Sequence, residues 1–262
     1  MLGSRRYSPQ SVHEERPADL AHYSRYERTY LVLASTFVVL LVLTNIVGIK
    51  LFRAPGNPDF ALTTGILTYP LTFLVTDLVS EIYGKRRADF MVLIGFGMSL
   101  MMLTIVQAAL AVPPHPFWVP GKDPFFGSEA EYQHAFESVF SLNGVLLFGS
   151  MLAYACAQLT DNWLYHFWKR LTNGKHLWLR NNGSTWISQL VDTAVVNSIL
   201  FYVGFGMEFM AGVKIMVTIY LYKLAIAALD TPLIYAGVYL IKRFLGVAWE
   251  DDVVPPGAPE PA

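Results

Sequence analysis

Six stretches of this chain are apolar for about as long as a helix needs to cross a bilayer, and its polar residues gather between them. The first, 30-YLVLASTFVVLLVLTNIVGIKLF-52, is longer than a signal-peptide core and is followed by no small-residue cleavage pattern, so it is expected to be a retained helix. The others cover roughly residues 61–83, 89–112, 141–168, 185–208 and 214–245. This pattern predicts an all-α membrane protein: a bundle of six transmembrane helices over residues 30–245, flanked by a flexible tail at 1–29 and a disordered one at 246–262. Pro70 and Pro232 fall inside the second and sixth segments, where each would kink its helix and free a backbone carbonyl. Residues 113–139 are too polar and proline-rich to cross. Their aromatics Phe117, Trp118, Phe125 and Phe126 suit an interfacial loop.

Composition agrees, with 54% hydrophobic and only 15% charged residues. The single cysteine, Cys156, excludes a disulfide framework and offers no metal-binding spacing, so no cofactor or metal is expected. Net charge is near zero, but the basic residues are unevenly placed. With the N-terminus in the cytoplasm, fourteen Lys and Arg fall on that side and four on the other, with Lys223 inside a span. That bias predicts a multi-pass membrane protein of six helices with both termini cytoplasmic.

Five charged residues lie within the predicted spans: Asp77, Asp161, Asp192, Lys223 and Asp230, with Glu81 near an end. At roughly 2.5–3.5 kcal/mol each on insertion scales, they are too costly to face lipid and must point into the bundle. In the predicted topology Asp77, Asp161 and Asp192 each lie about seven residues from the cytoplasmic end, roughly 10 Å at the helical rise, so three helices bring three carboxylates to one level. Gln158 and Gln189 precede two of them by three residues, in AQLTD and SQLVD, and share their faces. The acidic groups outnumber the one intramembrane cation, which leaves acceptors for a ligand rich in N–H groups. The alternative is that Lys223 simply neutralises Asp192 or Asp230. Tyr69, Phe73, Trp186 and Phe201 lie at neighbouring levels and suit stacking on a flat ligand. Asn45 is placed either to bond substrate or to join helices. Glu81, with Tyr83 and Lys85, is assigned to a cytoplasmic gate, against the plainer reading of a Glu81–Lys85 pair one turn apart. A stripe of Gly149, Ala153, Ala157 and Asp161 serves close helix packing, a homodimer, or a route to Asp161.

An intramembrane enzyme using two aspartates as an acid/base dyad would need the paired motifs of an aspartyl protease, and neither YD nor GxGD surrounds these residues. A structural subunit is the third possibility. The run 70-PLTFLVTDLVSEIYGKRRA-88, then AQLTDNW, SQLVDT and Tyr220, Lys223, Thr231, Pro232 and Tyr235 in a YxxK…TPxxY pattern, resembles the queuosine precursor transporter family, also described as putative vitamin uptake transporters. The resemblance implies a six-helix importer in the bacterial inner membrane, carrying cyano-deazaguanine and aminomethyl-deazaguanine, and a fold similar to the substrate-binding subunits of energy-coupling-factor transporters. The residues suit that cargo: Asp77, Asp161 and Asp192 are candidates for the N–H edge of a guanine-like base, Gln158, Gln189 and Lys223 for its carbonyl, its cyano group or a neighbouring carboxylate, and Asp230 is assigned to gating or coupling. Another vitamin or nucleobase remains the alternative cargo on this scaffold. The expected partners are the bilayer and a small base, with no nucleic acid. Subunits of that kind dock on an ATPase module through small residues spaced by four on the first helix. Here Val38 and Val39 follow Ala34 and Ser35, which argues against such a module, and the chain carries no phosphate-binding loop of its own.

Overall fold

The computed structural model describes residues 17–48, 50–54, 57–118, 127–140, 144–204 and 206–249. Of the tail expected at 246–262, residues 250–262 lie outside them, as do residues 1–16. Helices dominate: α1 (Pro17–Val47), α2 (Tyr69–Tyr83), α3 (Lys85–Ala111), α4 (Glu129–Phe140), α5 (Gly144–Leu171), α6 (Leu177–Ser198) and α7 (Phe209–Leu245). Among the described residues, five segments are long and apolar enough to cross a membrane: Tyr23–Val47, Thr64–Tyr83, Lys85–Ala111, Leu177–Val203 and Phe209–Leu245. The 28-residue α5 is not among them, and its second half carries Gln158, Asp161, Asn162, Lys169 and Arg170.

The spine of the bundle is α2, which packs against α1, α3, α5 and α7 and buries most of its side chains, polar ones included. Its apolar residues Val75, Leu78, Val79 and Ile82 meet Phe37 and Leu41 of α1, Met91 and Val92 of α3, and Ile234 and Val238 of α7 in one core. Close approach depends on glycine. A Cβ at Gly95 would stand 2.6 Å from the buried Phe37 ring and 2.9 Å from Leu41. Gly95→Ala should therefore cost about 1–3 kcal/mol through overpacking, seen as a lower Tm in detergent; an unchanged Tm would mean that α1 shifts freely.

Several boundaries differ from the sequence reading. The first helix begins at Pro17, inside the segment expected to be a tail, because its early turns have partners. Tyr26 is buried, Tyr83 donates to its carbonyl at 3.0 Å, and Glu27 makes two bonds to Arg87. At the other end Trp249 stacks on Tyr235 and its carbonyl accepts from Lys242, so the chain does not leave the bundle at residue 246. The expected second span starts slightly late: Leu51–Ala54 (β1) pairs antiparallel with Asn57–Thr63 (β2), the apolar segment runs from Thr64, and α2 starts at Tyr69. The Pro-Gly-Asn-Pro run at 55–58 is a turn signal that outweighs the surrounding hydropathy. Pro70 thus stands in the first turn of α2, where its missing N–H removes no bond, and it does not kink the helix. Pro232 does lie within α7. In the expected interfacial loop, α4 presents Tyr132 and Phe136 to the edge of Trp118.

The stripe on α5 is consumed within the chain. Ala153 and Ala157 are buried, and a Cβ at Gly149 would reach 3.2 Å from Ile199, just past α6.

Candidate functional site

Every fourth residue of α2 from Tyr69 is chemically distinctive: Tyr69, Phe73, Asp77 and Glu81 follow one another down a single face. Around that face the structure builds three groups, and sequence reasoning foresaw the members of the first two better than their pairing.

The upper group is held by α2, α6 and α7. Tyr69 Oη lies 2.6 Å from Gln189 Oε1 and 3.0 Å from Asp192 Oδ2, and its one proton serves either acceptor. Lys223 Nζ bonds Asp192 at 2.6 Å and sits 4.4 Å from the centre of the Tyr69 ring. Asp192 is thereby neutralised, as the plainer sequence reading had it, and does not present a bare carboxylate. These residues open on a narrow cleft lined by Tyr69, Phe73, Thr185, Gln189, Lys223 and Asp230. Its free volume is about 20 Å³, room for little more than a water, so a flat ring enters only if the walls part. Phe73 packs on Tyr69 with centroids 4.9 Å apart, and Tyr154 meets both edge-on.

The second group lies behind Phe73 and Thr185. The carboxyl groups of Asp77 and Asp161 lie side by side, with Asp161 also beside Ser184 and Thr185. Ser188 donates to Asp161 Oδ1 at 2.8 Å. Gln158 donates to Tyr154 Oη at 2.6 Å, and Tyr154 bonds Thr72. Asp77 is 1% exposed, and Asp161 and Gln158 are 0% exposed, yet Asp77 Oδ1, Asp161 Oδ2 and Gln158 Oε1 receive no hydrogen bond from any described residue. Three buried acceptors without donors are an expensive arrangement unless something else supplies the N–H groups.

The third group caps the second. Glu81 accepts from Arg180 at 2.6 Å and from Tyr165 at 3.0 Å, with Lys169 at 3.4 Å; Arg180 also bonds the Gly174 carbonyl. Both side chains of the Glu81–Arg180 pair are almost fully buried. The sequence reading missed Arg180, which it counted as a loop charge. The signal was Glu81 itself, a carboxylate near a span end that requires a cation. Lys85 is not that cation: it pairs with Asp89, which also accepts from Asn162, and Asn162 accepts in turn from Ser80. Nor does Tyr83 join Glu81. Its ring belongs to the cage of Tyr26, Tyr30 and Tyr83 around the Arg87 guanidinium.

Three candidate residues fall elsewhere. Trp186 is 45% exposed on the outer face of α6, its backbone carbonyl accepting from Tyr220, because its helical phase is three positions from Gln189 but turned off the polar stripe. Phe201 is buried in the irregular turn Ile199–Gly204 and does not line the cleft. Asn45 bonds Ser99 at 3.1 Å, joining α1 to α3, and lines a separate, mainly apolar cavity between α1, α3 and α5.

A multi-pass helical bundle that buries a cluster of polar and charged side chains among its membrane-spanning helices is the build of a protein that handles a small polar molecule within the bilayer. Comparison with known proteins narrows the class to transporters. The family model described as "Putative vitamin uptake transporter" matches residues 63–237, and the chain belongs to that family. A relative from Bacillus subtilis named "Probable queuosine precursor transporter" is 29% identical over 180 residues, covering 68% of this chain and 72% of the relative. One of the same name from Haemophilus influenzae is 25% identical over 176 residues, 66% of each chain. No solved structure matches the chain. The paired aspartates resemble the dyad that an intramembrane enzyme would need, but the family is one of transporters.

Proposed function

We propose that this protein imports deazaguanine bases, the precursors of queuosine, across the bacterial inner membrane. The observation that carries the reading is the set of unpartnered buried acceptors, Asp77 Oδ1, Asp161 Oδ2 and Gln158 Oε1, behind an aromatic-lined cleft. A guanine-like base offers a ring N–H and an exocyclic amino group side by side, which a carboxylate accepts in bidentate fashion. Its carbonyl suits the Gln189 amide or Lys223, and its ring suits Phe73 and Tyr69, at roughly 1–3 kcal/mol for stacking. The names of the two relatives support the same cargo.

In this reading α5 is the sixth span, its polar residues turned inward, and the bundle is built like the substrate-binding subunits of energy-coupling-factor transporters. The fourteen-to-four bias of basic residues supports cytoplasmic termini. The Glu81–Arg180 group then closes the cytoplasmic end of the site.

The test is uptake in bacteria that make no deazaguanine bases and lack their own importer, fed each base at low concentration. Expression of this protein should restore queuosine to their tRNA. Membrane-inserted protein that restores none at any concentration would refute the cargo and turn attention to vitamins.

A further inference from the structure

Four carboxylates gather around the cleft and the buried pair behind it, and only one is matched. Lys223 is committed to Asp192 at 2.6 Å. Asp77 and Asp161 have each other, with an acceptor atom on each left without a donor. Asp230, half-buried, lines the cleft together with Phe73 and Tyr69 and forms no hydrogen bond or ion pair among the described residues. It lies seven residues after Lys223, two turns further along the same face of α7 and about 10 Å along the axis, so Lys223 cannot hold both partners at once. It is also close enough to Asp77 for the two charges to repel. A lone carboxylate beside a buried acidic pair is unfavourable in an empty site. A cation arriving with the substrate would relieve it.

We infer that Asp230 is a specificity-determining residue that binds a protonated amine on the substrate, so that the site selects a cationic base, aminomethyl-deazaguanine, over the neutral cyano base. The inference rests on the cargo proposed above. The base presents its N–H edge to Asp77 and Asp161 and carries its aminomethyl group on the five-membered ring at the opposite side. Recognition of the edge and of the ammonium therefore falls to different helices: α2 and α5 for the first, α7 for the second. A charge-assisted bond from ammonium to carboxylate is among the stronger contacts available, and a cyano group, an acceptor only, would meet Asp230 as a repulsive neighbour.

The experiment measures uptake of each labelled base by cells expressing wild-type protein, Asp230→Asn and Asp230→Glu at matched membrane abundance. Wild-type protein should take up the aminomethyl base at least ~10-fold more efficiently than the cyano base at low concentration, the scale of one charge-assisted contact. Asp230→Asn should remove that preference, lowering aminomethyl uptake while cyano uptake is kept or rises. Asp230→Glu should retain part of it. Equal loss for both bases in Asp230→Asn, or a wild-type preference for the cyano base, would overturn the inference. If wild-type protein imports neither base, it is the cargo reading that has failed, and competition by unlabelled bases against any uptake signal tells the two failures apart.

Discussion

Asp77→Asn is expected to lower deazaguanine uptake on the order of 10- to 100-fold, with normal abundance in the membrane. The range follows from a bidentate base contact worth about 1–3 kcal/mol, at about 1.4 kcal/mol per factor of ten. The change is nearly isosteric, and Asp77 is only 1% exposed, so the packing of α2 against its neighbours is kept. What changes is polarity: an amide N–H replaces an acceptor and points at the donors of the base. It also relieves the crowding of Asp77 against Asp161, so the protein should be as stable as the parent or more so. Lost transport with retained or raised stability is the signature of a residue kept for binding. Unimpaired uptake would show that the pair does not touch the base, and impaired folding would show that it is structural.

The largest effect on stability should come from the cap. Arg180→Met leaves Glu81 buried with only Lys169 at 3.4 Å and Tyr165 to face it. Removing one partner of a buried pair costs about 3–5 kcal/mol, because the other charge is left in a poor solvent. The value here should fall toward the lower end, since Lys169 remains. The double variant Glu81→Gln with Arg180→Met should recover most of the loss, and thermal unfolding of the two single variants and the double variant in detergent measures the coupling. Additive losses would mean that the two side chains do not act as a pair.

The outcome for the gate shows why pairing is harder to read than membership. Both Glu81 and Asp77 were conspicuous in the sequence as carboxylates in or beside an apolar run, and hydropathy alone marks such residues. The partner of Glu81 was sought one helical turn away at Lys85, yet the cation that reaches it is Arg180, 99 positions along the chain. Helical periodicity constrains neighbours within a helix and says nothing of which helix lies opposite. The same limit applies to Trp186, whose level was right and whose direction was not, and to Tyr83, which turned toward Arg87.

By itself the sequence determined the class of protein, the presence of long apolar helices, and the residues that could not face lipid, because burial in hydrocarbon penalises charge wherever the chain goes. It also contained the motifs of the family to which the chain belongs. The tertiary structure decided the rest. It placed Asp77 against Asp161 and gave Lys223 to Asp192, which separates a charge-neutral wall from an acidic one. It drew Pro17 to Thr29 into α1, because Tyr83 and Arg87 from distant segments hold Tyr26 and Glu27, whereas the pairing of Leu51–Ala54 with Asn57–Thr63 follows a local turn signal that the hydropathy reading passed over. Which acceptors remain without donors is a property of all the surrounding helices at once, and no window along the chain contains it.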